Sequence, residues 1–326
     1  MNSMVKVAAV QLAARIADPP ANMAGCERLA QSAVNEGAVW IALPEFFTTG
    51  VAWEPRIADA IETEDGAAAS FLRDFSARHG VVIGGSFLCR VSTGAVHNRY
   101  LAFANGTLIG RHDKDLPTMW ENAFYEGGGP GDTGVLGSHE GIRVGAAVCW
   151  EFMRTMTARR LRGRVDVIMG GSCWWSIPEI VPGFIKSVWE RQNVLNAIGC
   201  IQDTARLVGA PIIHAAHCGS IVCPFFGLPP LTYRGHYEGC AAIVDASGQV
   251  IAVRENEDGE GIVCAEIPLG SIPAYEGIPE NFWLRPRGFL PAIAWHYHGL
   301  LGKFWYRLHV RKYTEYLRGN RNTERP

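Results

Sequence analysis

Apolar positions in this chain follow two alternating spacings. The opening run VKVAAVQL is short and almost continuously apolar, as expected of a strand covered on both faces. Behind it, Met23, Cys26, Leu29, Ala30, Ala33 and Val34 fall on one face at helical spacing. The alternation continues, with WIALPE predicting a strand and AAASFLRDFSARHG a helix. VVIGGSF, HNRYLAFA and TLIGRHDK then predict three further strands separated by turn residues. After the glycine-rich loop GGGPGDTG come the apolar strand IRVGAAVCW, a basic helix and the strand VDVIMGG. Residues 184–208 have the spacing of a long helix, PIIHAAHCG is extended, and CAAIVDASGQVIAVR predicts a hairpin turning at Ala246, Ser247 and Gly248.

Strand-helix-strand units interleaved with hairpins predict an α/β fold whose sheet is mixed rather than wholly parallel. Two sheets are compatible with this order, because the stretches before and after the glycine-rich loop offer similar elements. There is no internal repeat strong enough to assert a duplication. Periodicity is lost near Pro268, where PLGSIPAYEGIPENFWLRPRG brings a cluster of prolines. The expected organisation is therefore one domain over residues 1–268 and a tail over residues 269–326.

Composition narrows the class. The chain has 326 residues, 48% hydrophobic and 19% charged, enough for a large core. Its formal net charge of -2 offers no basic surface for a nucleic acid. Nine irregularly spaced cysteines, with no basic-then-apolar leader at the amino terminus, predict reduced thiols and a cytoplasmic setting. No apolar run reaches the roughly 18 residues a spanning helix needs. From Gly288 to Gly319 the tail mixes Phe289, Trp295, Tyr297, Phe304, Trp305, Tyr306, Tyr313 and Tyr316 with Arg307, Arg311, Lys312 and Arg318. Such a stripe packs on its own domain or a second subunit, or lies on a lipid surface; packing is the commoner use of the pattern.

Chemistry concentrates at strand ends. Cys149 closes IRVGAAVCW, at the carboxyl end of a buried strand, where α/β sheets place their pockets. No histidine sits in a recognisable signature with it, so a carboxylate is the alternative base. Glu45 ends the run VWIALP, and desolvation there would raise its pKa and make it a better proton acceptor near neutral pH. Lys114, in TLIGRHDKDLP, again follows a strand. Taken singly, each has a plainer reading, as a core thiol or a solvated charge. Each follows a different strand, however, so adjacent strands could bring all three to one sheet edge. Cys218 and Cys223, with His214 and His217 nearby, do not form a convincing zinc pattern.

The segments LPE at 43–45, GRHDKDLPTMWE at 110–121 and GAAVCWE at 145–151 resemble, in order and spacing, the three signature regions of the nitrilase (carbon-nitrogen hydrolase) superfamily. The resemblance runs over most of residues 5–268 and includes AVQL and AAIVDASGQVIA. It implies a four-layer alpha-beta-beta-alpha sandwich with an extended carboxyl-terminal tail, usually dimerised or assembled further. It also implies Glu45 as general base, Lys114 as catalytic lysine, Cys149 as nucleophile and Glu121 as a second glutamate, with Glu126 the rival for that last role. Pro117 disfavours a continuous helix between Lys114 and Glu121, so their approach has to come from loop geometry. No metal or cofactor is implied.

The partner implied is a small-molecule nitrile or amide. CWE and KDLPTMWE are closer to the nitrilase branch than to the aliphatic amidases or carbamoylases, which favours nitrile hydrolysis; amide or N-carbamoyl hydrolysis by the same residues is the alternative. A relative of another class, inactive and binding through its tail, is disfavoured by the intact Glu, Lys and Cys set. Trp150 adjoins the nucleophile, and Trp174 and Trp175 either line an apolar pocket or fill core. In place of the Arg-Ala-x-Glu-Asn pattern of many relatives the chain has WERQNVLNAIGC, then ARLVGAPIIHAAHCG, so the pocket wall is expected to differ, with Arg206, His214 and His217 nearby.

Overall fold

The computed structural model describes residues 4–312. In chain order the first half contains β1 (Met4–Leu12), α1 (Pro19–Asn35), β2 (Trp40–Ala42), β3 (Glu62–Thr63), α2 (Ala67–His79), β4 (Val82–Arg90), β5 (Val96–Ala104) and β6 (Thr107–Asp113). The second half contains β7 (Val135–His139), β8 (Ile142–Val148), α3 (Thr155–Leu161), β9 (Val167–Ser172), α4 (Gly183–Val208), β10 (Ile212–His217), β11 (Ser220–Pro224), β12 (Thr232–His236), β13 (Gly239–Val244), β14 (Val250–Glu255) and β15 (Gly261–Pro268). A last helix, α5 (Phe289–Trp305), lies in the tail.

The two halves share one sheet. Its path is β6-β5-β4-β2-β1-β10-β9-β8-β7, joined in the middle by the parallel pair β1 and β10, and β6 comes to lie against β7 as the sheet folds over on itself. The pairing is mixed, as the pattern predicted: β2 with β4 and β8 with β9 are parallel, β4 with β5 and β13 with β14 antiparallel. Strand β1 shows how the layers form. Ala8, Val10 and Leu12 face Cys26, Leu29, Ala30 and Ala33 of α1 and Leu72 and Phe75 of α2, whereas Val7 and Ala9 face inward toward the other half of the sheet. On the opposite outer face, Ala158 and Leu161 of α3 and Ala197, Ile201 and Ala205 of α4 pack on β8, β9 and β10. The layers therefore run helix, sheet, sheet, helix. Full burial of each large apolar side chain contributes on the order of 1.5–3 kcal/mol.

Local signals set the helix limits. The Asp18 carboxylate accepts from Ala21 N at 3.2 Å ahead of two prolines in the first turn of α1. Gly80 and Gly209, both left-handed, close α2 and α4. β7, β11, β12 and β15 had no counterpart in the sequence pattern, being short, polar on alternate positions or only partly covered.

The tail first runs as an extended strap along α3 and α4. Arg159 donates to Pro279 O at 2.7 Å, Thr155 Oγ1 to Asn281 O at 2.6 Å, Leu284 N to Met153 O at 2.8 Å and Asn196 Nδ2 to Pro286 O at 2.7 Å. From Phe289 it becomes α5 and packs on the turn 119–123 of the same chain, where Gly302 meets Asn122 so closely that a Cβ would stand 2.7 Å from the Asn122 Cβ. Tyr313, Tyr316 and Arg318 lie outside the described residues. Among the described residues no helix is long and apolar enough to cross a membrane, and all nine cysteines are unpaired.

Candidate active site

Strand β2, β6 and β8 end at one edge of the folded sheet, and the residues just beyond them are Glu45, Lys114 and Cys149. All three side chains are buried, as is Glu121. Lys114 Nζ donates to Glu45 Oε1 at 2.7 Å and to Glu121 Oε2 at 2.8 Å, bridging the two carboxylates. The Cys149 sulfur lies within 4.8 Å of a carboxylate oxygen of each. Glu121 reaches Lys114 from a 3-10 turn over residues 119–123, after the break at Pro117. Glu126 instead pairs with Arg311 at 2.6 Å and does not enter the cluster.

The carboxylates are held at several points. Glu45 Oε1 also accepts from Asn98 Nδ2 at 2.9 Å, Glu45 Oε2 accepts from Cys173 N at 2.9 Å, and His217 Nε2 donates to the Glu45 carbonyl at 2.6 Å. Glu121 Oε2 accepts from Thr118 N at 2.9 Å and from the Tyr125 hydroxyl. Gly171 makes the Cys173 contact feasible: a Cβ there would sit 2.8 Å from Pro44 Cα, so only glycine lets β9 pass this close to the Glu45 loop.

Cys149 adopts φ 53°, an uncommon left-handed conformation for a residue with a side chain, at the junction of β8 with a 3-10 turn. The turn is pinned from below by Glu151, whose carboxylate accepts from Val148 N at 2.8 Å and from His112 Nε2 at 2.9 Å. His112 Nδ1 in turn meets Asp132 at 2.6 Å. Burial alone would lower the His112 pKa, but Glu151 and Asp132 outweigh it and raise it to about 10, so this imidazolium stays charged.

Burial also governs the reactive groups. It pushes the Glu45 carboxyl up to about 7 against the opposing pull of Lys114, with Glu121 adding to the rise. Burial, then the Glu45 charge, drive the Cys149 thiol well above its ordinary value. For Lys114 burial acts downward, yet Glu121 and Glu45 carry its pKa well above the usual lysine range. The resting arrangement is thus a protonated thiol beside a carboxylate poised near neutrality and a fixed cation.

A cavity of about 170 Å³ opens above Cys149. Trp150, Trp174 and Trp175 all line it, with Trp120, Ile177 and Tyr233, and no charged side chain does. A cavity of about 150 Å³ suffices for benzene. One wall comes from the tail, through Leu290, Pro291, Ala294 and His298 of α5. Trp150 stacks on Trp295 with ring centroids 5.5 Å apart, tying this helix to the turn that begins at Cys149. Arg206, His214 and His217 do not line the cavity: Arg206 pairs with Asp203 at 3.1 Å, His214 Nε2 with Ser172 Oγ at 2.7 Å, and His217 acts through Glu45.

Sequence reasoning missed Asn98, Tyr125, His112 and Glu151. The pairs His112 with Lys114 and Cys149 with Glu151, each two residues apart, carried the available signal: polar residues beside a buried strand end.

A family model described as carbon-nitrogen hydrolase matches residues 6–182. A protein named nitrilase from Pyrococcus abyssi is 30% identical over 163 residues, which is 48% of this chain and 60% of that protein, so the match spans less than two thirds of the relative. Among solved structures, a cysteine-to-alanine mutant of the Nesterenkonia AN1 amidase from the nitrilase superfamily superposes with a TM-score of 0.63 at 19% identity, covering 82% of this chain and 92% of that one. A second form of that amidase, showing Michael addition of acrylamide at its active site cysteine, gives 0.62 at 20% identity, covering 81% and 93%. These structures share the fold described above.

Proposed function

The chain belongs to the carbon-nitrogen hydrolase family, and on that premise we propose that it hydrolyses a non-peptide carbon-nitrogen bond of a small uncharged substrate through a thioester on Cys149, with a nitrile as the favoured substrate and an amide as the alternative. The observation that carries this reading is the Lys114 ammonium bridging Glu45 and Glu121 behind Cys149, whose sulfur lies within 4.8 Å of both carboxylates and which itself lines an uncharged, tryptophan-rich cavity.

In the cycle, Glu45 takes the thiol proton as sulfur bonds to the electrophilic carbon. For a nitrile the electron pair moves to nitrogen, for an amide to oxygen, and the charge meets Lys114 and the backbone N–H of Trp150. These donors count for more in a dry site than in water. A nitrile then takes up one water, with ammonia leaving as Glu45 returns the proton. The resulting thioester is cleaved by a further water that Glu45 activates, giving the carboxylic acid and the free thiol. An amide enters the same route at the tetrahedral stage and needs one water fewer.

Incubation with a panel of nitriles, primary amides and N-carbamoyl compounds, with products identified by mass, is expected to show aryl or apolar nitriles turning over to acid and ammonia. Faster release of ammonia from small charged amides than from any aryl compound would contradict the reading. Because Glu45 works as a carboxylate and burial raises its pKa to about 7, kcat/KM is expected to rise with pH through about 7 and then level off. An acidic limb near the ordinary glutamate value, about 4.3, would remove Glu45 from the base role.

A further inference from the structure

Helix α5 is apolar on two opposite faces. One of them packs on the protein: Ala294 and His298 line the cavity, Trp295 stacks on Trp150 and Gly302 meets Asn122. The other, continued by the turn over residues 306–310, carries Phe289, Ile293, Leu300, Phe304 and Leu308 at helical spacing, each 50–78% exposed. At 1.5 Å per residue this outer stripe runs for about 30 Å. A helix that is hydrophobic all round is ordinarily covered all round, so the outer face calls for a partner.

Charge selects that partner. From residue 281 to residue 314 the sequence has six Lys or Arg and no Asp or Glu, in a chain whose net charge is -2. Arg285 pairs with Asp203, Arg311 with Glu126, and the Arg287 guanidinium lies over the Trp283 ring. Lys303, Arg307 and Lys312 are exposed, and among the described residues no acid pairs with them. Lys303 and Arg307 fall along one edge of the stripe, where their aliphatic stems can follow apolar surface while the charges reach its polar boundary. A second copy of the chain fits less well, because a two-fold pairing sets a patch against itself and would bring these cations together with no acid between them. The fourteen residues after Lys312 offer three large apolar side chains, Tyr313, Tyr316 and Leu317, fewer than the stripe exposes.

We propose that the outer face of α5 docks on the surface of an anionic lipid bilayer, with the stripe in the boundary between headgroups and acyl chains and Lys303, Arg307 and Lys312 at the level of the phosphates. Packing and lipid contact then fall on opposite sides of the same helix. Leu290, Pro291 and Ala294 of α5 line the cavity above Cys149, and Ile180, also on its wall, is 60% exposed, so docking holds the cavity beside the lipid. Docking is measured without turnover and stands apart from the hydrolase reading.

The test is flotation of the full chain with vesicles of phosphatidylcholine alone and of phosphatidylcholine containing about 30% phosphatidylglycerol. The partition coefficient is expected to be at least about tenfold higher on the anionic vesicles, since each basic side chain near such a surface contributes about fivefold, and to fall as salt is raised. Leu300→Ser with Phe304→Ser should lower anionic binding at least about tenfold, and Lys303→Gln with Arg307→Gln at least about fivefold. All four side chains are exposed, so the urea midpoints of both double variants should stay close to that of the wild type. No binding to anionic vesicles, equal binding to both kinds, or anionic binding unchanged in either double variant overturns the proposal. So does a wild-type mass of two chains by light scattering that falls to one in Leu300→Ser with Phe304→Ser, which assigns the face to a second copy.

Discussion

Replacing Cys149 with alanine is expected to reduce kcat/KM by about 10⁴-fold or more while leaving the fold in place. Glu45 and Glu121, each with an oxygen within 4.8 Å of the sulfur, are already bound to Lys114. Removing one sulfur from a position packed between β8 and the turn above it should cost no more than about 1–2 kcal/mol, within the usual range for a single substitution. The check is paired, with turnover of the best substrate from the panel and a urea unfolding midpoint measured on the same preparation. Activity within about tenfold of wild type would show that the sulfur does not form the bond. Activity lost together with the unfolding transition would leave the chemistry to be tested by Glu45→Gln, whose side chain keeps the shape and the hydrogen bond from Asn98.

Lys114→Met is expected to damage both activity and stability. It strands two buried carboxylates side by side with their shared cation gone, and breaking such a pair from one side costs about 3–5 kcal/mol. The deficit has a pH signature. Without the ammonium, the folded-state pKa of Glu45 rises further above its unfolded value, so the ionised carboxylate destabilises the fold at every pH above that unfolded value. Protonation relieves the cost, and the gap from wild type should narrow as pH falls through the raised pKa. Urea midpoints at pH 8.5 and pH 5.5 decide the point. A gap of the same size at both values would mean that lost packing of the lysine stem, rather than charge, explains the loss. Turnover should be low at both, because the anion formed at the substrate no longer meets a fixed cation.

The parts of this architecture that a linear pattern reveals are those where burial and periodicity coincide. β1, α1, α2 and β4 have apolar spacings that match their packing, and Glu45, Lys114 and Cys149 stood out together because each follows a separate strand and lies in a segment that resembles a family signature. Asn98 escaped notice for the opposite reason: a polar residue inside an apolar strand looks like solvent-facing alternation until its Nδ2 is found 2.9 Å from Glu45. His112 and Glu151 escaped because their meaning lies in each other, 39 positions apart in sequence and 2.9 Å apart in space. Helix α5 was hidden by Pro291, Gly299 and Gly302 within an aromatic stretch, all poor signals of helix. Gly302 is there because the Asn122 turn leaves no room for a Cβ, a constraint that exists only in the folded chain.

The seating of α5 on the cavity separates two properties that most catalytic pockets combine. The proposed reactive side chains lie between positions 45 and 149, whereas one side of the cavity above Cys149 is supplied from 290–298, beyond the last strand of the sheet. Substitutions at the lining positions Leu290, Pro291 and Ala294, apart from the Trp295 ring stacked on Trp150, change the shape of that wall, so the range of accepted compounds is open to diversification, natural or engineered, through a piece of chain that holds none of the proposed reactive atoms.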